Sequence, residues 1–600
     1  MGHPRIVGLS NKRNFMDDAI VTEQIPEVSE VSRPGRLASL TIADGLLVMV
    51  VILAAVGRLV ELGATPLSPA EAGQALTVWN FWHVVGLNQA IVPISPAYFA
   101  LTSLLSQVMG SNEATMRLLP ALFGLGLVAL PWLWQRRLGQ LGALITSLLL
   151  AVSPLFSFAS RTAGGDSLAL FAILLALVCF DNYQLSQEKG WFYGFVIAIA
   201  LGLNSSPLFY GAVATLALAW LVQYLMGPKL YGELLRPEPT LSRSALTMGT
   251  ILFVGLGTMF LWNPAGLGGT AGLLGSWFAN FGLNTDITVW LSPLLALARY
   301  ESAIFMVGLI AIIWATWRND NWSVFMVYWF SAGIILLLLQ SGKLENGLLL
   351  LLPMALLTGL WCQRQLEAPA GASKWLLYLF LLLVGLTIYF NLVRYLRVSQ
   401  YDPNQFGYAG LAIIALVLGL AAINLVRTFD WAAGRQGSVW ALLTLLLAYS
   451  WGSGWWLNHQ AANDPRERWV SEATANDLPL LRQVLQDTSR QLSNSARSLE
   501  IFSAVDTPVI RWYLRDFDQV SFGDSVPAEA QQQAIITHND ITLTLPNDYF
   551  GADFRLRNVA ASQPSEPAAQ PLTQILRWWF LRQSSATVEQ ESIILWVKAQ

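Results

Sequence analysis

The sequence predicts a polytopic α-helical membrane protein of about thirteen transmembrane helices, followed by a C-terminal soluble α/β domain. Three observations predict this class. Hydrophobic residues make up 54% of the 600 residues, charged residues only 12%, and the mean hydropathy is +0.49. Apolar runs that could cross a bilayer, which takes about 20 helical residues, recur along the chain. Charged side chains are concentrated towards the two ends.

The overall composition also excludes several kinds of function. The formal net charge is -3, from 35 basic and 38 acidic residues, so we expect no nucleic-acid partner. Cys179 and Cys362 are the only cysteines, and both lie in apolar stretches. This excludes a disulfide scaffold and a cysteine-rich metal site.

The first 39 residues contain five basic and five acidic side chains and no apolar run, which predicts a flexible cytoplasmic tail over 1–39. Residues 40–457 form the predicted transmembrane domain, where 34 of 418 residues are charged, about 8%. A soluble domain has roughly 25%. The predicted spans lie near 41–61, 117–134, 141–158, 167–184, 190–206, 208–227, 245–262, 300–317, 322–340, 345–362, 375–393, 408–426 and 437–457.

The basic residues of the first 457 positions predict the orientation. With the tail inside, 16 of them are on the inner side and seven on the outer side, as the positive-inside rule requires. An odd number of spans then places the C-terminal domain outside. We therefore expect a multi-pass protein of the inner (plasma) membrane with a cytoplasmic N-terminus.

Two predicted outer loops are longer than a simple connection. Residues 62–116 contain two short, partly amphipathic segments that we expect to lie along the membrane surface. Residues 263–299 are rich in glycine, which predicts a mobile or tightly turned backbone, either a lid or a flexible connector.

The last segment, 458–600, carries 12 basic and 17 acidic residues and predicts an extracytoplasmic α/β domain. Its polar, proline-rich stretch 562–571 is interpreted as a loop or linker. Helical patterns alternate with strand patterns in the order NDLPLLRQVLQDTSRQL, SLEIFSAVD, TPVIRWYLRD, QQAIITH and ESIILWVK. Four aromatic residues could stack on sugars, but their spacing is more typical of a core: Trp512, Tyr513, Trp578 and Trp579.

An active site on the outer side needs ionisable groups there, and the membrane region offers few. Its predicted outer acids are Glu61, Glu71, Glu113, Asp166, Asp286, Glu301, Glu345 and Asp402. Glu71 and Asp166 each follow a helix-start pattern, so both could instead be first-turn carboxylates favoured by the helix dipole.

Two cations accompany these acids. Arg161 precedes Asp166 by five residues and could clamp a phosphate, or simply form an ion pair with Asp166. Lys343 lies two residues before Glu345 and is either a second phosphate contact or an ordinary lysine reaching the membrane surface.

Residues 94–180 resemble the N-terminal core of the GT-C glycosyltransferases, and among them the dolichyl-phosphate-mannose protein mannosyltransferase-like branch (glycosyltransferase family 39, flippase-associated type). The resemblance rests on an R-L-x-P-A turn at 117–121, the basic turn at 136–137, and Ser160-Arg161 followed by Asp166. Looser similarity continues through GKLENGLLLLLPMALLTG and PVIRWYLRDF.

The resemblance implies transfer of a sugar from a polyprenyl-phosphate carrier to a protein, lipid or glycan acceptor on the outer face. Glu71 would be the general base and Asp166 would orient donor or acceptor. Arg161 and Lys343 would contact the carrier phosphate. The lipid-linked sugar is the donor substrate, no cofactor is expected, and the lack of a D-x-D pair favours metal-independent chemistry.

The chain departs from the family pattern at three places. Ala70-Glu71 replaces Asp-Glu, Gly164-Gly165 precedes Asp166, and leucines replace the Trp and His that usually follow the lysine of the later hairpin. Two alternatives therefore stay open: a non-catalytic subunit of a larger membrane complex, and a carrier-lipid flippase or transporter.

Overall fold

The computed structural model describes most of the chain. The described ranges are 41–83, 90–226, 230, 236–282, 287–318, 320–340, 343–402, 406–470, 472–527, 531–539, 548–560, 572–584 and 587–599. The predicted cytoplasmic tail, the predicted linker and Asp286 lie outside them.

Apolar helices form most of the protein. The first ten are α1 (Ile42–Leu59), α2 (Pro69–His83), α3 (Pro96–Met109), α4 (Glu113–Ala129), α5 (Gln135–Leu138), α6 (Gln140–Val152), α7 (Pro154–Arg161), α8 (Asp166–Ser186), α9 (Lys189–Leu203) and α10 (Pro207–Met226). Nine more follow: α11 (Pro239–Gly257), α12 (Gly266–Ala279), α13 (Ile287–Tyr300), α14 (Ser302–Arg318), α15 (Asn321–Leu339), α16 (Gly347–Leu366), α17 (Ser373–Val398), α18 (Gly407–Phe429) and α19 (Trp431–Trp455).

The described residues contain eight helices long and apolar enough to cross a membrane, or ten if each of two bent helix pairs is one span. The chain is therefore a multi-pass membrane protein. Each of the thirteen predicted spans coincides with a helix, but α9 has only 15 residues, and α11 and α19 do not meet the same hydropathy criterion. The number thirteen is not confirmed.

The two bent pairs meet each other at their breaks. Helix α6 ends at Val152, Pro154 after the connecting Ser153 cannot donate a backbone hydrogen bond, and α7 continues at 59°. Helices α13 and α14 meet at 110° beside Glu301. One oxygen of Glu301 accepts hydrogen bonds from the Ser153 hydroxyl (2.5 Å) and the Leu155 amide (2.8 Å), so it caps α7.

The helices of the first long loop pack against other parts of the protein. Helix α2 packs on α3 and on helix α21 (Pro508–Leu514) of the C-terminal region, and α3 packs on α4 and α11. Tyr98 of α3 is buried and donates its hydroxyl to the Met116 carbonyl at 2.8 Å. One face of α2 is thus covered by α21, and the predicted position of the two helices along the membrane surface stays a prediction.

The described part of the second long loop is largely helical, in α12 and α13, and its role as a lid or a flexible connector stays a prediction. Its glycines permit close packing. A Cβ atom at Gly266 would lie 2.1 Å from the Gly257 carbonyl oxygen, and one at Gly269 would lie 2.3 Å from that of Pro93. These positions need glycine because backbone approaches backbone there.

The C-terminal region contains a mixed six-stranded sheet. Its strands are β1 (Ala473–Thr474), β2 (Glu500–Ser503), β3 (Gln519–Phe522), β4 (Ala534–His538), β5 (Tyr549–Ala560) and β6 (Val588–Lys598), in the order β1-β5-β6-β4-β2-β3. Strand β2 is parallel to β3 and β4, and the other pairs are antiparallel. Two further helices, α20 (Leu478–Ser493) and α22 (Leu572–Leu581), complete it.

The sheet domain docks on the membrane helices through α21. The indole of Trp512 donates to Glu113 of α4 at 3.0 Å, and Arg515 donates to the Ser111 carbonyl at 2.9 Å. Trp512, Tyr513 and Trp578 are buried, as the core interpretation of the aromatic residues expected, whereas Trp579 is only half-buried.

Candidate functional site

A cavity of about 450 Å³ lies where the membrane helices meet the sheet domain. All four residues proposed from the sequence line it: Glu71, Arg161, Asp166 and Lys343. Two further acids, Glu345 and Glu472, line it as well. Residues far apart in the sequence thus meet in one cavity, although their local environments differ.

Both carboxylate oxygens of Glu71 accept hydrogen bonds. Its backbone amide donates to the Ser68 hydroxyl, and its carboxylate accepts the Ser68 amide at 2.9 Å, which is a capping box at the start of α2. Arg117 of α4 donates to both carboxylate oxygens at 2.8 Å, and the Ala163 amide donates to one of them at 2.8 Å. The sequence motif contained Arg117 but did not reveal this pairing.

This environment keeps Glu71 ionised. Burial by itself raises the pKa of the carboxyl group, but the charge and hydrogen bonds of Arg117 and the amides of Ala163 and Ser68 outweigh burial, so the pKa is lowered. A buried carboxylate with four donors and a lowered pKa is a weak base.

Arg161 donates to main-chain carbonyls at the end of α1. Its guanidinium reaches the carbonyl oxygens of Arg58 (3.1 Å), Val60 (2.8 Å) and Glu61 (3.1 Å). In the described part of the chain it forms no ion pair with Asp166. Its hydrogen bonds therefore fix the first loop to α7, next to the cavity.

Asp166 begins α8, and Gly165 brings that helix end close to the loop after α9. A Cβ atom at Gly165 would lie 2.0 Å from the Ser205 carbonyl oxygen, so only glycine fits. The Asp166 carboxylate accepts a hydrogen bond from Ser206 and is attracted by Lys343. The Gly164-Gly165 departure from the family pattern thus has a steric reason.

Lys343 supplies a free positive charge. Within the described ranges its ammonium group makes no hydrogen bond or ion pair, while Asp166 and Glu345 both interact with its charge. Glu345 was one of eight candidate acids in the sequence, and its position two residues after Lys343 was the only signal for it. In the part of the chain that the structure describes, no three His, Cys, Asp or Glu side chains form a metal-binding group. Metal-independent chemistry stays a prediction.

Residues 92–262 match the family model described as dolichyl-phosphate-mannose-protein mannosyltransferase. Through this segment the chain is similar to the GT-C glycosyltransferases, which supports membership of that superfamily. The match begins two residues before the segment on which the sequence resemblance rests and continues beyond it through α11, so the recognition is confirmed. The apolar helices make this a multi-pass membrane protein, and residues 92–262 carry its similarity to the GT-C family.

Comparison with solved structures gives distant similarities. ArnT from Cupriavidus metallidurans in the apo state is 15% identical with a TM-score of 0.46, and 80% of this chain aligns with 86% of that one. The same protein bound to undecaprenyl phosphate has a TM-score of 0.44 at the same identity and coverage. AglB from Archaeoglobus fulgidus, with an inhibitory peptide and a dolichol-phosphate, is 12% identical, with coverages of 68% and 56% and a TM-score of 0.36. No protein of established function matches the sequence significantly.

Proposed function

We propose that this protein transfers a sugar from a polyprenyl-phosphate carrier to a hydroxyl acceptor at the membrane face that carries the sheet domain. The observation that carries the proposal is the group formed by Asp166, Lys343 and Glu345, which lines the cavity and combines two carboxylates with a lysine that is unpaired among the described residues. Such a group can bind a phosphate and accept a proton in the same place.

In the proposed reaction Asp166 is the general base and takes the proton of the acceptor hydroxyl. The acceptor oxygen then forms a bond to the anomeric carbon while the bond from that carbon to the phosphate oxygen breaks. Polyprenyl phosphate leaves with the electron pair, and Lys343 stabilises its charge. Attack opposite the leaving phosphate inverts the configuration of the anomeric carbon.

We assign Glu71 and Arg161 positioning roles, because their hydrogen-bonding groups are already engaged. The Glu71–Arg117 pair holds the start of α2 against the Ala163 turn, three residues before Asp166. This differs from the role that the family resemblance implies for Glu71. Glu345 is interpreted as the acid that orients the Lys343 ammonium group.

The positive-inside distribution supports an outer location for this face, with the N-terminus cytoplasmic and the protein in the plasma membrane. A reporter fused to the C-terminus tests this orientation. Alkaline phosphatase, which is active only outside the cytoplasm, should be active there, and an inactive fusion would reverse the assignment.

The catalytic proposal is tested with the purified full-length protein and radiolabelled polyprenyl-phosphate mannose, followed by a panel of other polyprenyl-phosphate hexoses. We expect Asp166→Asn to lower turnover at least 100-fold, within the range typical of general-base loss. Lys343→Gln should raise KM for the lipid more than it lowers kcat. Glu61→Gln, at an exposed acid outside the cavity lining, is the matched control. Wild-type turnover in Asp166→Asn would refute the base assignment.

The same preparation separates the two alternatives. A protein that binds undecaprenyl phosphate in a Lys343-dependent manner, yet releases no sugar from any lipid donor, would be a non-catalytic subunit. Movement of labelled carrier lipid across a reconstituted bilayer, without sugar release, would identify a flippase.

A further inference from the structure

A second cavity lies at the same end of the helix bundle and shares no lining residue with the first. Its volume is about 190 Å³, and it is enclosed by the ends of α13 and α17 and by α22. Helix α22 is held there by two hydrogen bonds: the Trp579 indole donates to the Arg299 carbonyl at 3.2 Å, and the Tyr449 hydroxyl donates to the Trp579 carbonyl at 3.0 Å.

The cavity is lined by nitrogen donors that have no acceptor among the residues the structure describes. The Nε atoms of Arg299 and Arg577 and the indole nitrogen of Trp578 are buried without a hydrogen-bond partner. Arg299 lies with its guanidinium 3.6 Å from the centre of the Trp578 ring, which positions it without using its donors. Leaving such donors unsatisfied is costly, so a bound acceptor would stabilise the arrangement.

The surrounding charge is predominantly positive. Among the described residues no carboxylate lines the cavity. Arg582 lies 4.6 Å from the centre of the Trp578 ring, on which Arg299 also stacks. Glu467 is an acid whose charge interacts with Arg299, and it accepts the hydroxyl hydrogen bond of the buried Tyr300. The cavity therefore favours an anion rich in acceptor oxygens.

We infer that this cavity binds the phosphate of a membrane lipid headgroup. Guanidinium groups match phosphate oxygens in geometry as well as charge. The lipid source follows from the position of the cavity, because α22 packs against α17, a candidate membrane span with exposed apolar side chains such as Leu379 and Leu383. A headgroup bound there would fix α22, and with it the sheet domain, to the membrane helices.

The test uses delipidated full-length protein in detergent and native mass spectrometry with three probes: phosphatidylglycerol, diacylglycerol without phosphate, and inorganic phosphate. Phosphatidylglycerol should bind more tightly than diacylglycerol. Arg577→Gln and Arg299→Gln should each weaken phosphatidylglycerol binding about tenfold, as expected for loss of one charge-assisted hydrogen bond. Arg318→Gln is the matched control, because Arg318 also stacks on a tryptophan, Trp314, at the far end of α14.

Arg577 lies on the partly exposed face of α22, so Arg577→Gln tests the site even if Arg299→Gln fails to fold. Equal binding of phosphatidylglycerol by wild type, Arg577→Gln and Arg318→Gln would overturn the inference. Diacylglycerol that binds as tightly as phosphatidylglycerol would also overturn it. If inorganic phosphate displaces phosphatidylglycerol and its binding is weakened by Arg577→Gln to the same extent, the ligand is free phosphate and not a lipid headgroup.

Discussion

Arg58 and Arg161 form reciprocal helix caps. Arg58 lies in α1 and caps the end of α6, and Arg161 lies in α7, directly after α6, and caps the end of α1. Arg58 of α1, fully buried, donates to the carbonyl oxygens of Leu150 (2.9 Å) and Ala151 (3.1 Å) at the end of α6. Arg161 of α7 donates in return to carbonyl oxygens at the end of α1. Both arginines satisfy carbonyls that a helix end leaves without partners, so the break at Ser153 is stabilised by α1.

Arg161→Gln should destabilise the protein by about 1–3 kcal/mol, because Arg161 is largely buried and its carbonyl partners lose their donors. Arg364→Gln is the control, since Arg364 is about half exposed and pairs with the equally exposed Glu367, and such pairs contribute under about 1 kcal/mol. Thermal unfolding in detergent compares the two variants. An Arg161→Gln midpoint equal to that of Arg364→Gln would contradict the capping role.

Glu71 and Arg117 should behave as one unit in a double-mutant cycle. Removing one partner leaves a buried charge uncompensated, which costs about 3–5 kcal/mol. Glu71→Gln combined with Arg117→Gln should therefore cost clearly less than the sum of the single substitutions. Unfolding of the four proteins under identical conditions measures the coupling, and additive losses would show that the pair is not coupled.

The Glu71 carboxylate also predicts a pH dependence. Its pKa is lowered in the folded protein from an ordinary value of 4.5, so the unfolded chain takes up the proton first as the pH falls. The stability that Glu71 contributes is complete above about pH 4.5 and is lost as the pH falls through the lower folded-state pKa. The difference in unfolding midpoint between wild type and Glu71→Gln should be constant from pH 7 to 5 and shrink below pH 4.5. A difference that grows on acidification would refute this sign.

Much of the architecture could be predicted because its signals are local. Every predicted span coincides with a helix, and the five predicted elements of the C-terminal region correspond to α20, β2, α21, β4 and β6. Strand β5 was missed although it has twelve residues, because its sequence YFGADFRLRNVA includes glycine and several charges. It is stabilised by pairing with β6, and that partner lies about thirty residues away.

The candidate site could likewise be predicted only in part, because its side chains have partners that are distant in sequence. Sequence reasoning could name Glu71, Arg161, Asp166 and Lys343, and the structure brings them to one cavity. It could not tell which of them are free to react, since the partner of Glu71 lies 46 residues away and the carbonyl partners of Arg161 lie about 100 residues away. Side-chain availability depends on such tertiary contacts, which no local pattern contains.

Gly165 offers the sharpest test of the position of Asp166. In Gly165→Ala the new methyl group would collide with the Ser205 backbone, so α8 or the loop after α9 must shift. We expect a destabilisation of about 1–3 kcal/mol and a larger loss of sugar transfer than of lipid binding, because Asp166 moves with its helix end. Gly190→Ala, in the first turn of α9 with no atom near the new methyl group, should be neutral or slightly stabilising. Equal transfer rates in the two variants, measured on folded protein, would show that the close contact at Gly165 does not position Asp166.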